Sequence, residues 1–258
     1  MMKMNQFIHG DCIEVMKTLP SASFNCIVTS PPYNIKMGRA GHANQSSSGK
    51  LMGARTRIYS TMKVRINPYK DHDDNMPHDE YVRWQRDCLT EMMRLLKPAG
   101  AIFYNHKNRG RDGLIVDNKD ILEGFPVRQQ IIWERGGTFP SCRSYFLSGY
   151  EIIYLIALKG WKVADGVKRH MDVWKILPER KSNFPCPFPI ELPQRCIEAT
   201  VGLNTKDATV LDPFSGSGTT ALAAERMGVQ WIGIEKSQDY VNQSQERIEA
   251  ERAQMQLI

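Results

Sequence analysis

Thr29-Ser30-Pro31-Pro32-Tyr33-Asn34 is the stretch of this chain whose residue types could do chemistry on a planar amino group. It follows the apolar run Phe24-Asn25-Cys26-Ile27-Val28, which reads as a short buried strand. Consecutive prolines cannot continue a ladder, so the chain leaves the sheet at Ser30 and the motif stands at a strand's C-terminal end, where open α/β sheets bind ligands. Pro31 fixes its own φ and Pro32 confines Pro31 to extended geometry, which directs the Ser30 and Pro31 carbonyls as acceptors. A carbonyl and a hydroxyl converging on one NH2 group would grip it and enrich its lone pair, while Tyr33 would stack on the ring that carries it. The same residues also suit an ordinary strand-to-loop exit with a buried tyrosine.

A second constellation lies near the other end of the chain. Ala208 to Asp212 reads as a strand, Pro213-Phe214-Ser215-Gly216-Ser217-Gly218 as a glycine-rich turn and Thr219 to Met227 as a helix, with Ala221, Leu222 and Ala224 turned inward. Trp231-Ile232-Gly233-Ile234-Glu235 is a second strand ending in a carboxylate. Strand, glycine turn, helix, strand and acid make a nucleoside-binding unit: glycines admit close backbone approach, and a terminal Glu accepts hydrogen bonds from ribose hydroxyls. The turn has no Lys to reach phosphates, which argues against ATP or GTP. Gly216-x-Gly218-x-x-Ala221 does satisfy the dinucleotide pattern, so an NAD-dependent oxidoreductase stays open. Against it, Asp212 and Phe214 crowd the place of a pyrophosphate, and Asp212 better suits a cationic amino or sulfonium group.

With Gly10-Asp11-Cys12, Thr29 to Asn34, the proline-rich stretch Phe184 to Pro193 and Leu211 to Thr220 in this order, the chain resembles the S-adenosylmethionine-dependent DNA amino-methyltransferases of the β order, in which the catalytic motif precedes the cofactor motif. The resemblance implies a Rossmann-like α/β methyltransferase sheet with helices on both faces and a small embedded recognition region, in a single domain over residues 1–258. It implies that Ser30, Pro31, Pro32 and Tyr33 hold a flipped base, adenine or cytosine, for direct attack of its amino nitrogen on the methyl group. It places Asp11, with Cys12 beside it, near the cofactor's adenine, Asp212 with Phe214, Gly216, Gly218 and Thr219 around its methionine portion, and Glu235 on its ribose. Phe184 to Pro193 would close that pocket; relatives often begin this stretch with His, where Phe184 stands. Ser at position 30 is common among cytosine N4 enzymes, whereas Asn34 after the Tyr resembles the adenine N6 group, and the sequence places adenine marginally first.

The elements that must position these motifs alternate between helix and strand. Tyr81, Trp84, Cys88, Met92 and Leu95 recur at helical spacing and read as core. Pro98-Ala99-Gly100 and the strand Ala101 to Tyr104 follow as a helix-to-strand unit beside the catalytic strand, and Val127 to Trp133 with Tyr150 to Leu158 form a closing hairpin of the same sheet. The last helix, about Gln238 to Gln254, is polar on most faces and reads as a solvated flank or dimer contact.

A net charge of +6 and a pI near 9.0 favour a polyanionic partner, which the resemblance implies is duplex DNA. Lys36 to Lys70 carries eight Lys or Arg and no acid, which predicts a mobile basic loop over residues 36–76 that closes on the phosphate backbone. Residues 159–183, rich in Lys and Arg, are the target-recognition segment that the β order implies, and so short a segment leaves room for help from a second subunit. Six cysteines without C-x-x-C or zinc spacing indicate neither a metal site nor a disulfide framework and fit a cytoplasmic protein. No signal-like segment and no membrane-length apolar run is expected. RNA or protein amide methylation uses the same clamp chemistry and remains open, and a catalytically silent nucleic-acid-binding protein would account for the basic loop alone.

Overall fold

The computed structural model describes residues 2–35, 72–111, 114–136, 146, 148–178, 188–203 and 205–255. Most of the predicted basic loop, the start of the proline-rich stretch at Phe184 to Pro187 and the end of the recognition segment lie outside the described residues.

The chain builds one eight-stranded sheet. In order across it stand β1 (Gln6–His9), β10 (Gln230–Glu235), β9 (Thr209–Asp212), β2 (Phe24–Thr29), β3 (Leu96–His106), β7 (Tyr150–Ile156), β6 (Val127–Glu134) and β8 (Val173–Lys175). β7 runs antiparallel to its neighbours β3 and β6, and every other pairing is parallel. A small hairpin, β4 (Arg109–Arg111) with β5 (Leu114–Val116), stands apart.

The central strands are apolar on both faces because helices cover both. On one face Ile27, Ile102, Tyr104, Leu211 and Ile232 pack with α1 (Cys12–Thr18), α2 (His78–Leu95) and α3 (Lys119–Leu122). On the other, Cys26, Val28, Phe103, Val210 and Trp231 pack with α4 (Glu191–Val201), α5 (Thr219–Arg226) and α6 (Gln238–Met255). The predicted helix on Tyr81, Trp84, Cys88, Met92 and Leu95 is α2, with Tyr81, Cys88, Met92 and Leu95 fully buried. No helix among the described residues is long and apolar enough to cross a membrane.

Two expectations need amending. The strand read as Ala101 to Tyr104 starts earlier: β3 already begins at Leu96, and Pro98 sits in a register shift where Leu96 pairs with Phe24 and Ala101 with Cys26. A proline lacks the N–H that a regular ladder needs, and a bulge absorbs it. Gly100 is required there, since a Cβ would stand 2.5 Å from the Asn25 carbonyl oxygen. α6 is no mere solvated flank either. A narrow stripe of Val241, Ser244 and Ile248 is buried, and Ser244 Oγ donates to the Gly216 carbonyl at 2.8 Å. Within residues 159–178, β8 joins the sheet edge beside β6, with Trp174 and Ile176 buried.

Candidate active site

β2 lies beside β9, yet the chain proceeds from β2 through α2 to β3 on one side and from β9 through α5 to β10 on the other. That reversal is a topological switch point, where the loops diverge and open a crevice at the C-terminal strand ends. Both motifs found in the sequence end there. Thr29 Oγ1 donates to Asp212 Oδ1 at 2.9 Å and joins them directly.

Asp212 is 2% exposed. It also accepts from Thr220 Oγ1 at 2.7 Å and from the Phe214 backbone N–H at 3.1 Å. Burial raises its pKa to about 6; these hydrogen bonds offset part of that rise, and the nearby Glu235 carboxylate adds to it. The turn that follows is held by its neighbours. Gly216 N–H donates to Glu235 Oε2 at 2.8 Å, and Ser237 N–H to Glu235 Oε1 at 2.9 Å, so the acid that ends β10 is fixed by two backbone donors. Arg247 on α6 donates to the Ser217 carbonyl at 3.0 Å and to Thr219 Oγ1 at 3.2 Å. Thr219 therefore turns its hydroxyl toward α6. Gly216 and Gly218 both take positive φ, +47° and +71°, and a Cβ on Gly218 would stand 2.9 Å from the Phe7 ring.

Asp11 caps α1, accepting from Ile13 N–H at 3.0 Å and Glu14 N–H at 3.4 Å, and its second oxygen lies 3.8 Å from Lys236 Nζ. Cys12 faces the core, its sulfur 3.7 Å from that of Cys88. Trp84, read from sequence as core, is only partly buried, and its ring stands between His72 at 4.7 Å and Phe214 at 5.6 Å.

The prolines are held from α2. Tyr81 OH lies 2.7 Å from the Pro32 carbonyl and 2.6 Å from His106 Nε2, and Gln85 Nε2 donates to Tyr81 OH at 3.1 Å. Burial lowers the His106 pKa to about 3, so the ring is neutral. Its Nδ1–H donates to the Lys107 carbonyl at 2.8 Å, which leaves Nε2 as an acceptor, so the single Tyr81 hydrogen is shared between Nε2 and the Pro32 carbonyl, and Gln85 Nε2 also donates to that carbonyl at 3.5 Å. Pro32 thus has its carbonyl engaged in the scaffold. Tyr33, 8% exposed, packs its ring 4.8 Å from that of His106, with the Lys107 ammonium 5.6 Å from its centroid.

Ser30 and Tyr33 belong to a polar cluster that the motifs did not disclose. Ser30 Oγ is 2.6 Å from Tyr33 OH, which donates to Glu151 Oε2 at 3.1 Å. Asn105 Nδ2 reaches Tyr33 OH at 2.8 Å, Glu151 Oε2 at 2.9 Å and Ser30 Oγ at 3.3 Å, and Arg135 pairs with the other Glu151 oxygen. Asn105 is the next-to-last residue of β3 and Glu151 the second of the antiparallel β7, whose direction brings its first residues to the edge where the parallel strands finish. The signal in the sequence was one polar residue at the end of each apolar run. Asn34 does something else: its Oδ1 accepts from Met76 N–H at 2.7 Å and its Nδ2 donates to the Met76 carbonyl at 2.9 Å. It clasps together the two chain ends that flank residues 36–71.

With the Thr29 to Asn34 motif and the glycine-rich turn meeting at one switch point, relatives become informative. The profile of the DNA methylase family of N6 and N4 enzymes matches residues 24–246. The chain belongs to this family. It is 27% identical to the type II methyltransferase M2.DpnII of Streptococcus pneumoniae over 95% of this chain and 89% of that one. It is 25% identical to the type II methyltransferase M.HinfI of Haemophilus influenzae over 95% and 68%. Among solved structures, the cytosine-N4-specific PvuII DNA methyltransferase matches with a TM-score of 0.66 and 21% identity, covering 92% of this chain and 84% of that one. The SAM complex of M1.HpyAVI matches with a TM-score of 0.57 and 20% identity, over 94% and 98%. At these identities the structural likeness speaks for the fold: this DNA methylase has the mostly parallel sheet with helices on both faces that its sequence led one to expect.

Proposed function

We propose that this DNA methylase binds S-adenosylmethionine across the ends of β10 and β9 and methylates the exocyclic amino nitrogen of a base drawn out of duplex DNA into the Ser30 site. The Thr29–Asp212 hydrogen bond carries the reading, because it sets the amino clamp and the glycine turn side by side at one switch point.

The residues of the turn suit the cofactor. Asp212 is a buried carboxylate whose hydrogen-bond partners are two hydroxyls and an N–H, and a cation beside it would relieve the burial that raises its pKa. Gly216 and Gly218 supply the positive φ that the turn needs to bring its backbone close to a ligand. Glu235, oriented by two backbone N–H groups, suits a ribose diol; Asp11, Cys12 through its backbone, Phe214 and Thr219 complete the binding set. Bound there, S-adenosylmethionine would supply an electrophilic methyl group on a positively charged sulfur. The chain's own part is to hold the nucleophile in line. Ser30 Oγ and the Pro31 carbonyl accept the amino hydrogens and draw electron density onto nitrogen, Pro32 fixes their direction, and Tyr33 supports the ring. Extruding the base costs a few kcal/mol, partly offset by these interactions.

Adenine and cytosine share the conjugated amine that such a clamp requires. Asn34, which placed adenine first, has its amide engaged on the Met76 backbone. Its bearing on the base is thereby reduced, and Ser30 makes cytosine N4 the better-supported target. Residues 36–76 and 159–183 are proposed to grip DNA, with dimerisation, a cytoplasmic location and a restriction partner as further elements of a type II system.

Incubation with unmethylated duplex DNA and labelled S-adenosylmethionine, followed by nucleoside mass spectrometry, tests the reading: N4-methylcytosine or N6-methyladenine is expected, and methyl transfer only to RNA or protein would overturn it. Tyr33→Ala should weaken capture of the DNA substrate about tenfold while leaving cofactor affinity within about twofold, as removal of one aromatic support predicts. Equal losses would contradict the role given to Tyr33. Neutralising Arg55, Arg57, Lys63 and Arg65 together should flatten the salt dependence of DNA binding by about 0.9 in the log–log slope for each phosphate that is no longer neutralised.

A further inference from the structure

The hydrogen bonds around Ser30 have a direction, and it can be worked out from their far end. Glu151 is 5% exposed, one oxygen is paired with the Arg135 guanidinium, and the other accepts from Tyr33 OH at 3.1 Å and Asn105 Nδ2 at 2.9 Å. An ionised carboxylate only accepts. The phenol hydrogen of Tyr33 is therefore committed to Glu151. Asn105 must turn its NH2 toward the same carboxylate, since its amide oxygen there would oppose a negative charge; that NH2 also meets Tyr33 OH at 2.8 Å. With the phenol hydrogen used, the 2.6 Å approach between Ser30 Oγ and Tyr33 OH has Ser30 as its donor. The Ser30 hydrogen thus points away from the substrate side, and its oxygen lone pairs are what an incoming amino group meets.

This direction matters chemically. A serine hydroxyl left to rotate could donate to the amino nitrogen and tie up the electron pair that has to attack the methyl group. One aimed at Tyr33 can only accept from the amino N–H.

We propose that Glu151, held by Arg135, is a positioning residue for methyl transfer: acting through the Tyr33 hydroxyl, it sets Ser30 Oγ as an acceptor for the target amino group. The inference rests on the function proposed above.

The test is Glu151→Gln in the full chain, read by single-turnover methylation of duplex DNA, cofactor affinity and thermal stability. Glutamine keeps the shape, but Arg135 is a donor only and captures the amide oxygen, so the amide NH2 faces Tyr33 and the network reverses. The methylation rate should fall about 100-fold, the scale of losing one preorganised hydrogen bond at a reacting atom, with cofactor affinity nearly unchanged. In a Tyr33→Phe background, where the relay is already cut, Glu151→Gln should cost little more. A rate close to wild type, or losses that simply multiply across the two variants, would overturn the relay while leaving the methylase reading intact. Absence of methyl transfer by the wild-type protein would overturn both. Should Glu151→Gln fail to fold, Tyr33→Phe carries the test: a rate loss of about tenfold at unchanged cofactor affinity is expected, and an unchanged rate refutes the proposal.

Discussion

Asp212→Asn should fold, bind S-adenosylmethionine about 30-fold more weakly than the wild type and lose the pH dependence of that binding, an effect of about 2 kcal/mol for removing a charge from a buried cation site. Asn can still serve Thr29, Thr220 and the Phe214 N–H, so the strand ends stay joined while the charge disappears. In the wild type, burial raises the Asp212 pKa from 3.8 to about 6. The folded state therefore holds this proton more tightly than the unfolded chain does, and stability falls as pH rises between those two values, by about 3 kcal/mol once the group is ionised. Cofactor affinity has the opposite trend: it should rise with pH and level off above about 6, as the carboxylate becomes charged. Calorimetric melting at pH 5 and pH 8 should show the difference between wild type and Asp212→Asn moving in favour of the variant at the higher pH. A wild-type affinity flat across this range would remove Asp212 from the cofactor's cationic end.

Gly218→Val should cost about 3–5 kcal/mol of folding stability, combining a β-branched residue at positive φ with overpacking. The position has φ +71°, and a Cβ there would press on Phe7 at 2.9 Å and Ser244 at 3.1 Å. For a chain of this size that is a fall in Tm of about 10 °C or more, measurable by scanning calorimetry, accompanied by loss of cofactor binding. Gly166→Ala is the control. Gly166 also has positive φ, +76°, but nothing lies within 4 Å of its added Cβ, so only the conformational cost of about 1 kcal/mol is expected. Similar losses at both positions would show that close packing around the turn is unimportant.

What the sequence disclosed was local. Pro31-Pro32 and Gly216 to Gly218 punctuate apolar runs, so the strand ends that carry them could be placed from a handful of neighbouring residues. The cluster behind Ser30 is assembled by register instead. Asn105 meets Glu151 because β7 inserts antiparallel between β3 and β6, and no nearby residue announces that pairing. The same holds for Arg247 and Ser244, which reach the glycine turn from a helix whose exposed faces dominate its composition. The start of β3 before Pro98 went unread for a physical reason: a bulge lets a strand carry a proline that an unbroken ladder would reject.

The clasp at Asn34 separates two demands that are usually in conflict. Because Met76 is bonded twice to Asn34 and Ile35 N–H donates to Asp74 Oδ1 at 3.3 Å, the chain re-enters the scaffold close to where it departs. Doubling the length of what runs between such fixed points costs only about 0.6 kcal/mol of closure entropy. A change in the length of residues 36–71 is therefore expected to leave the geometry around Ser30 and Tyr33 largely intact, because the bonds that fix it lie in the scaffold on either side.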